Sequence, residues 1–227
     1  MPGWGRVRLA RMGDDAARIT PTLLLQAYAS GVFPMAEDAT SDTLFWVDPR
    51  RRGILPLDGL RVSRRLARSF RNDDFEIRID ADFGGVVAAC ADRPETWISP
   101  AIAVLYEELQ RLGNAHSVEI WSQGALVGGL YGVSLGAAFF GESMFSRRRD
   151  ASKFALIALV ARLRAGGFRL LDTQFVTDHL IGLGAIEIDR RSYHHRLAAA
   201  LELSGDFLAL PADASRQRLL QLSTQTS

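Results

Sequence analysis

The spacing of apolar and polar positions along the chain predicts a mixture of helices and strands. Apolar residues that recur every three or four positions indicate helices, and short alternating or apolar stretches between turn residues indicate strands. The helical pattern covers residues 21–30, 63–71, 82–91, 100–113, 150–167, 178–184 and 190–203. The strand pattern covers residues 75–79, 116–122, 125–134, 137–143, 168–174 and 185–188. Elements mixed in this way predict an α+β chain.

The order of these elements predicts the domain organisation. The turns "QG" at 123–124 and "LG" at 135–136 join three of the strands into an antiparallel meander. A long helix, a strand, a short helix and a last strand follow, which is the element order of a GNAT-like acyltransferase. We therefore expect a GNAT-like catalytic domain over residues 61–227, ending in a polar C-terminal tail from Ser204, and a small N-terminal α/β domain over residues 1–60.

Two stretches of the N-terminal domain have the composition of irregular backbone. "GVFPMAED" at 31–38 and "LFWVDPRRRG" at 44–53 are rich in proline, glycine and aromatic residues. Proline and glycine interrupt regular elements, and aromatic residues seek burial. We expect both stretches to form packed loops.

The composition excludes several classes of protein. The single cysteine, Cys90, rules out an internal disulfide and a cysteine-based metal site. The four histidines, His116, His179, His194 and His195, do not have the spacing of metal ligands. The first twenty residues lack the apolar stretch of a secretory signal, and no apolar run approaches the ~18 residues that cross a membrane. We expect a cytoplasmic monomer that has no metal and no membrane partner.

A block of arginines dominates the charge distribution. The net charge of the chain is +1, yet residues 50–71 contain eight arginines against one acid, Asp58, and so carry +7. In the helix predicted within this block, Arg64, Arg68 and Arg71 lie away from the apolar stripe. A basic surface of this kind is what a polyanion partner needs. A solvated helix face in an arginine-rich protein explains the block equally well.

The stretch "FFGESMFSRRRDASKFAL" at residues 139–156 carries an unusual mixture of side chains. One acid, Glu142, lies between phenylalanines and a methionine, and three arginines follow. Surface loops seldom contain so many large apolar residues, and core strands seldom contain a glutamate. The mixture predicts a site that holds an apolar, a cationic and an anionic group together.

Asp172 and Gln174, in "LLDTQ", form a second candidate cluster. Residues two positions apart on a strand face the same way. In the functional interpretation, the Asp172 carboxylate orients the Gln174 amide, so that the amide oxygen accepts a hydrogen bond from an attacking amine. A buried structural pair is the alternative.

The GNAT-like element order also indicates acyl-CoA as a possible donor. Such sites need a glycine-rich turn at the start of the long helix, because backbone N–H groups there bind pyrophosphate. The corresponding turn here, "SRRRDASKF" at 146–154, contains no glycine, and side-chain cations suit a bulkier anion such as a nucleic-acid backbone. Lys153 within it is the one lysine among 27 basic residues. Acyl-CoA N-acyltransfer and a non-catalytic RNA-binding module remain alternatives.

Five segments together resemble one protein family. "GVFPM", "FWVDPRRRGILPL", "HSVEIW", "GESMFSRRRDASKFAL" and "LLDTQFVTDHLIGLGA" are similar, in this order, to the leucyl/phenylalanyl-tRNA–protein transferase family, from about Leu23 to about Leu201. The resemblance implies transfer of Leu or Phe from its tRNA to the N-terminal α-amine of proteins that begin with Arg or Lys. It also implies that the transfer marks these proteins for N-degron proteolysis, and it agrees with the GNAT-like fold.

The resemblance also implies roles for individual residues. Asp172 and Gln174 correspond to the catalytic pair, Glu142 to an acidic site residue, and Trp97 to the aromatic residue that stacks on the terminal adenosine. Met35 stands where some members have a second stacking tryptophan. The apolar pocket for the donor side chain corresponds to Tyr106, Phe139, Met144, Leu156, Leu159 and Leu171. We expect Glu142 to face the cationic acceptor, and methionine to fit the pocket as well as Leu and Phe.

The arginine block and the arginines after Glu142 are expected to hold the 3′ end and acceptor stem of the tRNA. The residues predicted for this contact are Arg50, Arg64, Arg68, Arg71, Arg147, Arg148, Arg149 and Lys153. Aminolysis of an aminoacyl ester is downhill, and an α-amine with a pKa of ~8 is partly neutral near pH 7. The reaction is therefore expected to need no cofactor.

Overall fold

The computed structural model describes residues 6–11, 19–36, 43–94 and 96–224. The helices are α1 (Pro21–Ala29), α2 (Arg64–Asn72), α3 (Phe83–Ala91), α4 (Pro100–Arg111), α5 (Ala151–Ala165), α6 (Asp178–Gly182), α7 (Arg190–Leu201) and α8 (Arg216–Thr224). The strands are β1 (Arg6–Arg11), β2 (Phe33–Ala36), β3 (Thr43–Val47), β4 (Arg51–Ile54), β5 (Glu76–Ile79), β6 (Ala115–Ser122), β7 (Ala125–Leu135), β8 (Ala138–Ser146), β9 (Leu170–Gln174) and β10 (Ile186–Asp189).

The strands of the described chain form a small and a large sheet. The small sheet has the order β1-β3-β2, and the large one the order β10-β4-β9-β8-β7-β6-β5. In the large sheet β8 and β9 are parallel and the other neighbours are antiparallel. Helix α5 covers one face, and α3 and α4 cover the other. An antiparallel meander followed by a long helix and a parallel strand confirms the predicted α+β, GNAT-like architecture.

Helix α5 forms the centre of one of the two apolar clusters of the core. Twelve of its fifteen residues are buried, because the sheet covers it on one side and α8 packs against it on another. A helix buried all round has no polar face for solvent, which accounts for its nearly continuous apolar sequence. Within the described residues no helix, α5 included, has the length and apolarity needed to span a bilayer.

Strands β8 and β9 pair only over a short length. Their parallel ladder joins residues 138–140 to residues 170–172 and then stops. The register of β8 against β7 shifts between Tyr131 and Gly132, which leaves Glu142 as the extra residue of a β-bulge. A bulge bends its strand and redirects its side chains. A cleft therefore opens between β8 and β9 immediately beside Glu142.

The two stretches predicted to be packed loops contain strands instead. Phe33–Ala36 and Thr43–Val47 pair as β2 and β3 of the small sheet, and Arg51–Ile54 is β4 of the large sheet. The expectation was wrong because these strands are short and because β4 pairs with β9 and β10, which follow more than 100 residues later. Local composition cannot reveal such distant partners.

The C-terminal segment is also more ordered than the polar tail predicted from Ser204. Phe207, Leu210, Leu219 and Leu220 are buried, and α8 packs on α5 and α2. The buried guanidinium of Arg162 in α5 donates to the carbonyl oxygens of residues 207, 210 and 211 and so fixes this segment. The apolar residues are too widely spaced to stand out in a polar sequence. Residues 225–227 lie outside the described residues.

The division into domains at residues 60 and 61 stays a prediction. Strand β4 lies in the large sheet, and Leu55 and Leu60 pack in the same apolar cluster as α5. The small sheet and α1 come from residues before β4. Parts of the predicted N-terminal domain, residues 1–5, 12–18 and 37–42, lie outside the described residues.

Candidate active site

A cavity of about 350 Å³ opens in the cleft between β8 and β9. One wall is apolar and includes Leu156 and Leu159 of α5 and Leu171 of β9. The side chains of Glu142 and Gln174 line it where the two strands diverge. A cavity of this size lies at the small end of the range for ligand pockets. An apolar slot therefore meets a carboxylate and an amide at one point.

Five of the seven residues predicted to bind the substrate line this cavity. They are Trp97, Met144, Leu156, Leu159 and Leu171. Phe139 does not: it is fully buried and stacks on Phe207, with ring centroids 5.5 Å apart. Tyr106 is also fully buried, and its hydroxyl points at Glu142. Phe139 therefore packs behind the cavity wall, and Tyr106 contributes to the site through its hydroxyl.

Glu142 is held by two tyrosine hydroxyls. Tyr28 donates to Oε1 and Tyr106 to Oε2, each at 2.8 Å. Burial raises the pKa of Glu142 to about 7, although the two hydroxyl donors act in the opposite direction. Burial and the nearby Glu142 charge raise the pKa of both tyrosines, so both stay protonated donors. The half-buried carboxylate can thus exchange a proton near neutral pH.

Gln174 lies next to this carboxylate in an unusual backbone conformation. Its φ is +53°, in the left-handed region that non-glycine residues rarely adopt. Its side-chain Nε2 lies 3.3 Å from Oε1 of Glu142 and donates to it. A donating amide nitrogen leaves the amide oxygen of Gln174 as an acceptor. Such conformations cost about 1–3 kcal/mol and persist where neighbours enforce them.

Asp172 holds Gln174 in this backbone conformation through a hydrogen bond. Its Oδ1 accepts from the backbone N–H of Gln174 at 2.8 Å. The sequence predicted that Asp172 would bind the side-chain amide of Gln174, but that amide contacts Glu142 instead. The correction follows from the left-handed turn at Gln174, which brings its main-chain N–H to the carboxylate. Asp172 is fully buried and does not line the cavity.

A buried arginine neutralises Asp172. Arg52 donates from Nε to Oδ1 at 3.0 Å and from Nη2 to Oδ2 at 2.6 Å. Tyr193 donates to the same Oδ2 at 2.8 Å. The guanidinium lies between the rings of Phe33 and Tyr193, 4.5 and 4.4 Å from their centroids, and donates to the carbonyl oxygen of Gly31. The N-terminal segment is thereby joined to β9.

Sequence reasoning missed several residues of this site. Arg52 stood out only as charge in the arginine block, and Tyr28 only as an apolar position of α1. Arg93, Phe33 and His179 also line the cavity and were not singled out. The "GVFP" segment was a usable signal for Phe33, since it is one of the five segments that carry the family resemblance. Nothing local distinguishes Arg52 from its two neighbours, because its partner Asp172 is 120 positions away.

Most of the residues predicted to bind tRNA are exposed. Six of them have exposed side chains: Arg50, Arg64, Arg68, Arg71, Arg147 and Arg149. Arg148 is half-buried and donates to Ser122 Oγ at 2.8 Å and to the carbonyl oxygen of Asp74. The contacts of Arg148 indicate a structural role, whereas exposed guanidinium groups remain available to a polyanion.

Asp150 explains the position of the single lysine. It accepts from Lys153 Nζ at 2.8 Å and from Arg65 Nη1 at 2.7 Å. The hydrogen bond from Arg65 is the main reason that the pKa of Asp150 falls to about 2. Lys153 and Arg65 border a shallow groove that also includes His179, which lines the main cavity. A basic groove therefore continues from the cavity towards α2.

The site contains no activated nucleophile among the described residues. Ser143 Oγ accepts from Arg93 rather than from a base. Burial raises the pKa of the Cys90 thiol to about 12, so the reactive thiolate is absent near neutral pH. The arrangement instead suits direct transfer between two bound substrates, which depends on positioning.

Comparison with known proteins identifies the family. The chain matches the model described as "Leucyl/phenylalanyl-tRNA protein transferase" over residues 54–198, and the model for the N-terminal domain of that family over residues 17–50. A leucyl/phenylalanyl-tRNA–protein transferase from Ruegeria sp. (strain TM1040) is 61% identical over 92% of this chain and 99% of the relative. One from Cereibacter sphaeroides is 57% identical over 92% and 98%.

Similarity to solved structures is more distant. A GCN5-related N-acetyltransferase-like protein from Streptococcus suis 89/1591 is 14% identical, with a TM-score of 0.33 over 62% of this chain and 59% of that one.

The matches to the family models and the identities of about 60% over nearly the whole chain agree with one another. The chain belongs to the leucyl/phenylalanyl-tRNA–protein transferase family.

Proposed function

We propose that this protein moves a leucyl or phenylalanyl group from tRNA to the α-amine of a protein that begins with Arg or Lys. The observation that carries the proposal is the meeting of an apolar slot with Glu142 and Gln174 in the cleft between β8 and β9. An apolar donor side chain and a cationic acceptor need these two environments side by side. The family to which the chain belongs supports the same activity.

The donor side chain fills the slot between α5 and β9. Leu156, Leu159, Leu171 and Met144 present unbranched or γ-branched apolar surface, which suits Leu, Phe and Met. Each missing methylene in such a slot is worth about 1–3 kcal/mol. Smaller side chains are therefore disfavoured, but only moderately. Trp97 lies at the same cavity and offers a ring face on which the terminal adenine stacks.

The acceptor amine attacks the ester carbonyl directly. A C–N bond forms, the bond to the ribose oxygen breaks, and the proton lost by the amine ends on that oxygen. The amide oxygen of Gln174 accepts from the attacking amine, and ionised Glu142 attracts the cationic acceptor. Most of the acceleration comes from holding amine and ester together.

Asp172 and Arg52 act as positioning residues in this mechanism. Asp172 already accepts hydrogen bonds from Arg52, Tyr193 and the backbone of Gln174. A carboxylate whose lone pairs already accept hydrogen bonds has no free acceptor site for a substrate proton. Its part is therefore to hold Gln174 in the left-handed conformation that points the amide into the cleft.

The exposed arginines contact the phosphates of the tRNA. Charge neutralisation at phosphates releases counterions and makes binding sensitive to salt. Arg64, Arg68 and Arg71 on α2 supply most of this surface, and the groove beside Lys153 connects it with the cavity. Product proteins then carry the N-terminal Leu or Phe that marks them for N-degron proteolysis. A cytoplasmic, monomeric enzyme stays the prediction of the sequence.

A transfer assay tests the proposal. Purified protein, leucyl-tRNA and a peptide that begins with Arg should yield a Leu-Arg peptide. The same peptide with an acetylated N-terminus, which has no nucleophilic amine, is the matched control and should yield nothing. Acetyl-CoA in place of leucyl-tRNA should not support transfer. Transfer from acetyl-CoA, or tRNA binding without any transfer, would contradict the proposal.

A further inference from the structure

Arg93 lines the cavity and has no part in the mechanism above. It lies in the segment between α3 and α4, four residues before Trp97. Its Nε donates to the carbonyl oxygen of Cys90 at 2.8 Å, and its Nη2 donates to Ser143 Oγ at 2.5 Å. Since Ser143 follows Glu142 directly in β8, these bonds fix the guanidinium close to the reacting groups.

The hydrogen bonds leave a directed cationic surface. Both partners of Arg93 in the described chain are neutral oxygens, whereas Arg52 and Arg65 are each bound to a carboxylate. A guanidinium has five N–H donors in a plane. Two are used here, and three remain. A fork of this geometry matches the paired oxygens of a carboxylate or a phosphate.

The chemistry of the two substrates decides between these anions. The acceptor presents an α-amine and a basic side chain, and both are cations. The reacting part of the donor is a neutral ester on the terminal ribose. The anion nearest to that ester in the covalent structure is the phosphate on the 5′ oxygen of the same adenosine. We propose that Arg93 binds this phosphate, an inference that rests on the proposed function.

The position of Arg93 fits a ligand that spans the cleft. The donor side chain occupies the α5 side of the cavity, and Trp97 and Arg93 come from the segment on the α4 side. Trp97 and Arg93 line the same cavity and are four positions apart in the chain, so one nucleotide can contact Trp97 with its adenine and Arg93 with its 5′-phosphate. The same β-bulge that redirects Glu142 also places Ser143, the anchor of Arg93. The phosphate contact thus helps to set the depth at which the ester enters the cleft.

Two short donors test the contact in the absence of the tRNA body. Leucyl groups are attached to the 3′ oxygen of adenosine and of adenosine 5′-monophosphate, and kcat/KM is measured with an Arg-initiated peptide. The unaltered protein should prefer the phosphorylated donor by about 10- to 100-fold, as expected for a charge-assisted hydrogen bond. Arg93→Gln should bring this preference close to one. Arg93→Lys should keep part of it, because the charge remains and the fork is lost.

Arg78→Gln is the matched control, because Arg78 is a half-buried arginine on the edge strand β5 and does not line the cavity. It should leave the preference unchanged. If Arg93→Gln leaves the preference between the two donors unchanged, the phosphate contact is wrong. In that case, an equal loss of kcat/KM with both donors would mean that Arg93 only holds its segment in place. Absence of Leu-Arg product from leucyl-tRNA itself overturns the proposed function, whereas transfer from leucyl-tRNA without a preference for the phosphorylated short donor overturns only the phosphate contact, and so the two failures are distinguishable.

Discussion

Arg52 Nη2 lies 2.6 Å from Asp172 Oδ2, and both side chains are removed from water. Burial lowers the pKa of Arg52, but the charges and hydrogen bonds of its neighbours, Asp172 foremost, raise it overall, so the guanidinium stays protonated. An ion pair at this depth is costly to form and more costly to break, because either partner alone leaves a buried charge. The pair lies between the N-terminal segment at Gly31 and the backbone of Gln174. It is therefore placed to transmit the packing of that segment to the reacting amide.

Replacement of Arg52 should affect turnover more than substrate binding. Arg52→Met leaves Asp172 buried and unpaired, and is expected to cost about 3–5 kcal/mol of stability. Arg52→Lys keeps the charge but not the bidentate contact, and should fold while losing kcat with little change in KM for the donor. Arg51→Met is the control, because Arg51 is an exposed neighbour whose nearest acid, Glu187, is 3.6 Å away. Denaturant unfolding and steady-state kinetics check the three variants.

A KM effect would point to a different role for Arg52. If Arg52→Lys raised KM for the donor and left kcat unchanged, the pair would shape the binding cavity rather than orient Gln174. Equal loss of activity in the Arg51→Met control would mean that the surface charge of β4 is what matters.

Glu142→Gln should stabilise the protein above neutral pH and weaken its use of the acceptor. The pKa of Glu142 is about 7 in the folded chain, against an ordinary value of 4.5. Between these two pH values the folded chain binds more protons than the unfolded chain, so the contribution of Glu142 to stability falls as pH rises. The replacement removes that cost, and we expect a gain of about 1–3 kcal/mol at pH 8 and little change at pH 4.

The pH dependence of activity gives an independent readout of Glu142. Ionisation of the acceptor amine affects both proteins, so the ratio of their kcat/KM values cancels it. This ratio, unaltered protein to Glu142→Gln, should rise with pH through about 7 and then level off, following the pKa of Glu142. A ratio that does not change between pH 6 and pH 8 would contradict a role for the ionised carboxylate. Loss of donor binding instead of acceptor use would place Glu142 at the aminoacyl-adenosine site.

Removing charge from α2 should weaken tRNA binding without changing the chemistry. Arg64, Arg68 and Arg71 are exposed on the face opposite to the buried residues Leu66 and Phe70. Replacing all three with alanine should flatten the salt dependence of tRNA binding, by about 0.7–0.9 in the logarithmic slope for each phosphate that is no longer neutralised. Transfer from leucyl-adenosine, which lacks the acceptor stem, should be unaffected. A comparable loss of transfer with this short donor would show that α2 supports the catalytic centre.

The elements that could be read from the sequence are those whose cause is local. Ser63 caps α2, as its position before an amphipathic pattern indicates, and its Oγ accepts from the backbone N–H of Leu66. The meander followed from two-residue turns. By contrast, Glu142 depends on Tyr28 and Tyr106, which are 114 and 36 positions away. Such contacts depend on the assembled sheet, so the polar residues of the motif were predictable while the environment that sets the pKa of Glu142 was not.

Residues that line the donor slot and residues that lie one layer behind it should respond differently to substitution. Leu159 lines the cavity, so Leu159→Ala should enlarge it and shift the preference among donors towards Phe, by about 10-fold or less for a change of this size. Phe139 lies one layer deeper, between Phe168 and Phe207. Phe139→Leu should therefore cost about 1–2 kcal/mol of stability, because the smaller side chain packs less well, and leave the ratio of Leu to Phe transfer close to that of the unaltered protein. Competition between leucyl-tRNA and phenylalanyl-tRNA measures the ratio, and thermal unfolding measures the stability. A shift in donor preference for Phe139→Leu as large as that for Leu159→Ala would show that Phe139 lines the slot.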